Sequence, residues 1–236
     1  MSVLGILVCG EFSEEIAAKY PGKYEDFFIK TFAEKKPEIT CKTYRVYLNE
    51  FPDSVNACDA WLITGSKFGV YEEYEWIKNL LSFTKKAYDA NKIVVGVCFG
   101  HQALAQALGG RVVKASQGWG LGLQRYDVLQ PFGSIEGPYL DLYAIHQDQV
   151  VELPEDATVL IKTVHCPNAG LLYKKKAVSF QPHPEFNVQF EQDLIESING
   201  QSFSKELGEA ALKSLSGSRT QSDDVMSYIA DFIVDQ

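Results

Sequence analysis

Residues Ile93-Val94-Val95-Gly96-Val97 form an uninterrupted apolar run that passes, through Cys98, directly into a helical pattern. A strand with one wet face alternates apolar and polar residues, so a continuous run implies a strand covered on both faces. Such strands belong to largely parallel sheets sandwiched between helices. The helix spacing predicted over His101–Leu108 is stopped by Gly109-Gly110. The same alternation precedes it. Val3–Cys9 reads as a strand, Tyr24–Lys35 as an amphipathic helix with Phe28 and Phe32 four apart, Cys41–Leu48 and Ala60–Thr64 as strands, and Glu73–Ala90 as a helix. The fold class is therefore α/β, and ligands are expected beyond the carboxyl ends of the strands.

The second half is strand-rich: Arg111–Lys114, Leu121–Leu129, Asp141–Ile145, Gln149–Leu153, Thr158–Thr163, Gly170–Tyr173 and Ala177–Phe180. Helical patterns follow Asn187, with a loop over Ser214–Asp224 before a last helix, Val225–Val234. With 236 residues, no repeat and no low-complexity linker, the expectation is one domain over 1–236. Its core covers about 3–190, with a C-terminal helical extension over 191–236.

Composition narrows the class of function. A hydrophobic share of 46% with 22% charged residues suits a packed globule, not a disordered chain. A formal net charge of −9, with no basic face in the sequence, argues against nucleic acid as a partner. The opening MSVLGILVCGEF lacks the basic segment and cleavage site of a signal peptide, and no run is long enough to span a bilayer. A cytoplasmic protein is expected. The five cysteines, Cys9, Cys41, Cys58, Cys98 and Cys166, are widely spaced without a CxxC, which fits reduced thiols instead of disulfides or a zinc site. His165-Cys166 is adjacent instead of at ligand spacing, and no metal or organic cofactor is implied.

Cys98 needs an explanation of its own. At the tip of a strand-to-helix turn a side chain projects from the sheet edge, so its sulfur should be accessible. The free N–H groups and positive end of the following helix favour thiolate over thiol. The turn crowds its backbone, and glycine at Gly96 and Gly100 lets it form. Gly96-x-Cys98-x-Gly100 thus reads as a nucleophile elbow carrying sulfur, against the plainer reading of a Gly-rich turn with a buried cysteine. Far downstream, Gln181-Pro182-His183-Pro184-Glu185 puts two residues directly before prolines, which pushes them into extended backbone. In extended chain, residues i and i+2 project together, so Glu185 can hold one nitrogen of His183 while the other faces a nucleophile. Thiol, base and an acid fixing the base's tautomer are the parts of nucleophilic catalysis.

Gly96-Val97-Cys98-Phe99-Gly100-His101-Gln102 together with Pro182-His183-Pro184-Glu185 resembles the class I glutamine amidotransferases of the Cys-His-Glu triad type, over roughly Gly5 to Glu185. The resemblance implies a flavodoxin-like mixed, largely parallel sheet, with Cys98, His183 and Glu185 catalytic. Leu62-Ile63-Thr64-Gly65-Ser66 looks like the family's oxyanion strand and loop, which implies backbone N–H donors at Ser66 and Phe99. Where the family usually carries Gly-Gly-Pro, this chain reads Gly65-Ser66-Lys67. Gly65 and Gln102 would contact substrate. Ala144-Ile145-His146-Gln147-Asp148 resembles the His-x-Asp segment of the guanosine-monophosphate-synthetase branch, implying substrate contacts from His146 and Asp148; an ordinary loop acid is the other reading of Asp148. Trp119, at a Gly-Trp element of standalone members, is core or pocket wall.

The chemistry implied is hydrolysis of the γ-amide of glutamine through a γ-glutamyl thioester on Cys98, giving ammonia and glutamate without a cofactor. No phosphate-binding glycine loop of the kind an attached synthase needs is present in the sequence. Three readings follow: a separate ammonia-accepting synthase subunit, a standalone peptidase acting on γ-glutamyl compounds such as glutathione derivatives, or an inactive binding or regulatory module. Thiol peptidases and chaperones of the wider superfamily usually place histidine after the elbow cysteine; here that residue is Phe99, which favours the amidotransferase branch.

Overall fold

The computed structural model describes residues 1–174, 176–217 and 219–234. The elements run β1 (Ser2–Val8), α1 (Glu14–Lys19), α2 (Glu25–Lys35), β2 (Ile39–Arg45), a single 3₁₀ turn (Val46–Leu48), β3 (Ala60–Ile63), α3 (Glu75–Asp89), β4 (Ile93–Val97) and α4 (Phe99–Ala107). After these come β5 (Arg111–Lys114), β6 (Gly120–Val128), β7 (Tyr139–His146), β8 (Asp148–Glu152), β9 (Ala157–Lys162), β10 (Gly170–Tyr173) and β11 (Ala177–Phe180). The chain closes with α5 (Val188–Ile198), α6 (Lys205–Ser214) and α7 (Ser222–Val234). Ser218, inside the loop expected before the last helix, lies outside the described residues.

Nine strands form one sheet in the order β2-β1-β3-β4-β11-β10-β9-β6-β7, while β5 and β8 pair separately. Pairing is parallel from β2 through β1, β3 and β4 to β11, where helices intervene between most strands. From β11 outward, where strands follow one another with short links, pairing turns antiparallel. The mixed α/β sheet expected from the sequence is present, and its parallel half carries the elbow.

Alternation along the central strands divides the core between the two faces. Leu4, Ile6 and Val8 of β1, with Ile93, Val95 and Val97 of β4, face a cluster with Phe28 and Phe32 of α2 and Val225, Ile229 and Ile233 of α7. Leu7, Trp61, Ile63 and Val94 face the other cluster, with Ile77, Leu80 and Phe83 of α3 and Ala103 and Leu104 of α4. Fully burying one such large apolar side chain stabilises the fold by about 1.5–3 kcal/mol, so these stripes seat α3 and α7 on opposite faces. Among the described residues, no helix is long and apolar enough to cross a membrane.

Candidate active site

The elbow forms as the sequence predicts. Cys98 has φ 54° and ψ −106°, a backbone region that costs an ordinary residue about 1–3 kcal/mol. It is held there from both sides. The Cys98 N–H donates to the Phe180 carbonyl (2.8 Å), extending the β4–β11 ladder, and its own carbonyl accepts from Gln102 N–H (3.1 Å), opening α4. A Cβ on Gly96 would collide with the Gly100 carbonyl, and one on Gly100 would collide with the Ile63 carbonyl at the end of β3. The two glycines therefore let the first turn of α4 lie directly on β3 and β4. One expectation changes: the elbow cysteine is largely buried. Cys98 is only 6% exposed, because distant segments cover the tip and bring Tyr24, Tyr126, Cys166 and His183 to it as titratable neighbours.

His183 and Glu185 project together as the two pre-proline positions predict. Imidazole Nδ1 lies 2.8 Å from Glu185 Oε1, with both residues buried. Nε2 is thereby left for the imidazole's other polar neighbour, Cys98. The Phe186 ring stacks on the imidazole at 4.2 Å and 4°, fixing its plane. The backbone is anchored by His183 N–H donating to Tyr143 O (2.9 Å). Burial disfavours the imidazolium, but Glu185 and then Cys98 outweigh it, so His183 holds its proton well above the ordinary histidine range.

The loop after β3 supplies the third part. Ser66 Oγ donates to Cys9 O (2.7 Å) and accepts from Phe68 N–H (3.4 Å), which ties the loop to the end of β1 without the proline the family usually carries. Neither the Ser66 nor the Phe99 N–H donates to any acceptor among the described residues. Both N–H groups are thus left with their donor capacity unused by the described residues.

Gln102, His146 and Asp148 also come together, though through the backbone of Asp148. The Gln102 amide donates to Asp148 O (3.1 Å) and Gln181 Oε1 (3.2 Å), and His146 Nδ1 lies 3.2 Å from Asp148 O. The Asp148 carboxylate instead accepts from the Tyr71 hydroxyl (3.1 Å). Burial holds His146 neutral, pushed down to about 3. Trp119 packs edge-on against Phe203 at 5.5 Å, partly buried against the core.

A family model for "Glutamine amidotransferase class-I" matches residues 26–197, which span the elbow, the oxyanion loop and the His183–Glu185 pair. The chain belongs to the class I glutamine amidotransferases. Gamma-glutamyl peptidase 5 of Arabidopsis thaliana is 34% identical over 186 residues, 75% of this chain and 73% of the relative. GMP synthase of Shewanella sediminis is 31% identical over 109 residues, 42% of this chain but only 21% of the synthase. A glutamine amidotransferase structure from Thermotoga maritima superposes with a TM-score of 0.78 at 19% identity, covering 99% of both chains.

Within this amidotransferase fold, three site neighbours carry no local signal in the sequence. Tyr24 donates its hydroxyl to Glu185 Oε1 (2.7 Å), and Phe186 stacks on His183. Both read as ordinary core aromatics until their partners are known. The third is Glu191 on α5, wholly inaccessible to solvent, with neither carboxyl oxygen in a well-formed hydrogen bond among the described residues and the Gly122 backbone as a polar neighbour. Burial pushes its carboxyl up to about 8, with His183 opposing and Glu185 adding to the shift. A group that binds its proton more tightly folded than unfolded stabilises the fold below its unfolded value and loses that contribution as pH rises through the folded one. Glu191 therefore destabilises the protein progressively from about pH 4.5 to about pH 8. Between pH 6 and pH 9, Glu191→Gln is expected to remove roughly 2 kcal/mol of this loss, read by urea unfolding. Parallel wild-type and variant curves would contradict the burial of an acid there.

Proposed function

We propose that this chain hydrolyses γ-glutamyl amide bonds, with glutamine as the simplest substrate, through a γ-glutamyl thioester on Cys98. The observation that carries this reading is the thiol on a strained corner beside an imidazole whose far nitrogen is held by a carboxylate at 2.8 Å. The thiolate of Cys98 would add to the amide carbon, and the oxyanion formed would accept from the N–H groups of Ser66 and Phe99. One such donor is typically worth about 3 kcal/mol in the transition state. Imidazolium His183 would then protonate the departing nitrogen, releasing ammonia or an amine and leaving the thioester. Water, losing a proton to neutral His183, would attack the thioester carbon. Collapse of that adduct expels the Cys98 thiolate and releases glutamate, restoring the thiolate–imidazolium pair with which the cycle began. Glu185 keeps the imidazole in the tautomer both steps need. Gly65, Gln102, His146 and Asp148 would surround the glutamyl end.

The leaving group separates two readings. With free glutamine, ammonia would pass to a synthase subunit docking on this chain, as expected for a glutaminase that acts for a partner. The similarity to Gamma-glutamyl peptidase 5 over three quarters of both chains favours a peptidase that needs no acceptor, whereas the match to GMP synthase reaches only a fifth of that protein. The test is a substrate panel read as glutamate released by purified protein. Release from γ-glutamyl peptides by the isolated chain supports the peptidase. Release from glutamine only when cell extract is added supports the docked synthase. No glutamate from either, with Cys98 inert to alkylation at neutral pH, would overturn both and leave a binding module.

A further inference from the structure

We infer that the Tyr24 hydroxyl is a positioning group that ties the triad acid, Glu185, to the oxyanion loop at Gly65. The inference rests on the roles proposed for Cys98, His183 and Glu185. Its observations are geometric. Tyr24 stands at the start of α2 and reaches across the sheet edge to donate to Glu185 Oε1 at 2.7 Å, the same oxygen that lies 2.8 Å from His183 Nδ1. Glu185 Oε2 is buried with no hydrogen-bond partner among the described residues, so this one oxygen carries both contacts. The hydroxyl also abuts the loop: a Cβ at Gly65 would stand 2.6 Å from Tyr24 Oη and 3.2 Å from His183 Cε1. A single phenol thus touches the group that orients the base and the residue preceding an oxyanion donor.

Several features argue against a mere core tyrosine. Its ring is already packed by Phe12, Phe27, Phe28 and Phe186 at 5.9–6.5 Å, so phenylalanine would satisfy the packing. Burying a hydroxyl is unfavourable unless it is bonded, and here its bond goes to the one carboxylate that holds the imidazole. A donor shared on Oε1 fixes the carboxylate's rotation and draws charge away from the Nδ1–H contact. The restraint on Gly65 explains why a small residue is needed there although φ is ordinary at that position.

The test begins with Tyr24→Phe, which keeps the ring. Its glutamate release is expected to fall about tenfold in kcat, with KM changed less than about twofold, since the substrate contacts remain. With one donor gone, Glu185 should hold the imidazolium more tightly, moving the alkaline limb of the pH profile upward. The other groups facing His183 (Cys98 on the elbow, His146 on β7 and Glu191 on α5) are unchanged in this variant, so the movement reports the hydroxyl. Tyr20→Phe, whose hydroxyl bonds Asp193 instead, should leave the profile in place. A double-mutant cycle tests the second contact: Gly65→Ala should cost several-fold more activity when Tyr24 is present than in the Tyr24→Phe background. Should Tyr24→Phe melt before assay, Gly65→Ala alone displaces the hydroxyl from the other side and should move the same limb. Iodoacetamide labelling of Cys98 against pH gives the limb without any substrate. That separates two failures: full turnover by Cys98→Ala removes the catalytic assignment, whereas unmoved alkylation limbs and an additive cycle in folded variants overturn the role of Tyr24.

Discussion

Cys98→Ala and Cys98→Gly should both release no measurable glutamate, and the glycine variant should be the more stable of the two. The first half follows from nucleophilic chemistry: without sulfur no thioester forms, and the loss should be at least about 10⁴-fold in kcat. The second half follows from the backbone. At φ 54° and ψ −106°, alanine keeps the Cβ that crowds this region, while glycine does not. Both variants lack the thiol, so their difference isolates strain. Set against the entropy glycine loses on folding, about 0.5–1 kcal/mol, the strain relieved should leave Cys98→Gly ahead by about 1 kcal/mol, a few degrees in Tm. Differential scanning calorimetry with a glutamate assay reads both. An alanine variant that retains turnover would remove the nucleophile; one more stable than the glycine variant would remove the strained corner.

This corner was legible because its demands are local. Gly96, Cys98 and Gly100 are neighbours in sequence, and the collisions that require glycine lie within one strand-turn-helix unit and the strand beside it. His183 and Glu185 were legible for the same reason, since a proline after each of Pro182's neighbours in the motif dictates which side chains share a side. Where a contact joins segments far apart, the sequence is silent. Tyr24 and Glu185 are 161 positions apart, and an aromatic opening an amphipathic helix looks like core whatever its hydroxyl does. The burial of the sulfur has the same origin: a tip that is open in an isolated strand-turn-helix is covered by pieces from α2, β6 and the segment after β11. Short elements give little signal as well. α1 is only six residues long with one buried apolar side chain, Ile16, and its cap, the Ser13 hydroxyl accepting from Ile16 N–H, gives too weak a pattern. Val46–Leu48 has strand composition but leaves β2 as a 3₁₀ turn, closed by Asn49 at φ 62°.

Gly100→Ala should be among the most damaging conservative changes, and it tests the packing on which the proposed oxyanion site depends. The new methyl would enter the Ile63 carbonyl, with the Ile63 carbonyl carbon and Cβ (2.7 and 2.9 Å) also inside contact distance. Backbone atoms cannot rotate aside as a side chain can, so α4 must lift from β3. Overpacking of this kind costs about 3 kcal/mol or more. It would also separate Phe99, at the start of α4, from Ser66, three residues beyond β3, pulling apart the two N–H groups proposed to converge on one oxygen. Activity should therefore fall even under conditions where the variant is fully folded, with kcat reduced more than KM is raised, because the interaction lost exists only in the transition state. Gly137→Ala is the matched control: its Cβ would meet only the Tyr139 carbonyl, at 3.8 Å, so stability should change by no more than about 0.5 kcal/mol and activity not at all. A Gly100→Ala protein as stable and as active as the Gly137→Ala protein would mean that α4 does not rest on β3, and the two donors would have no common oxygen to serve.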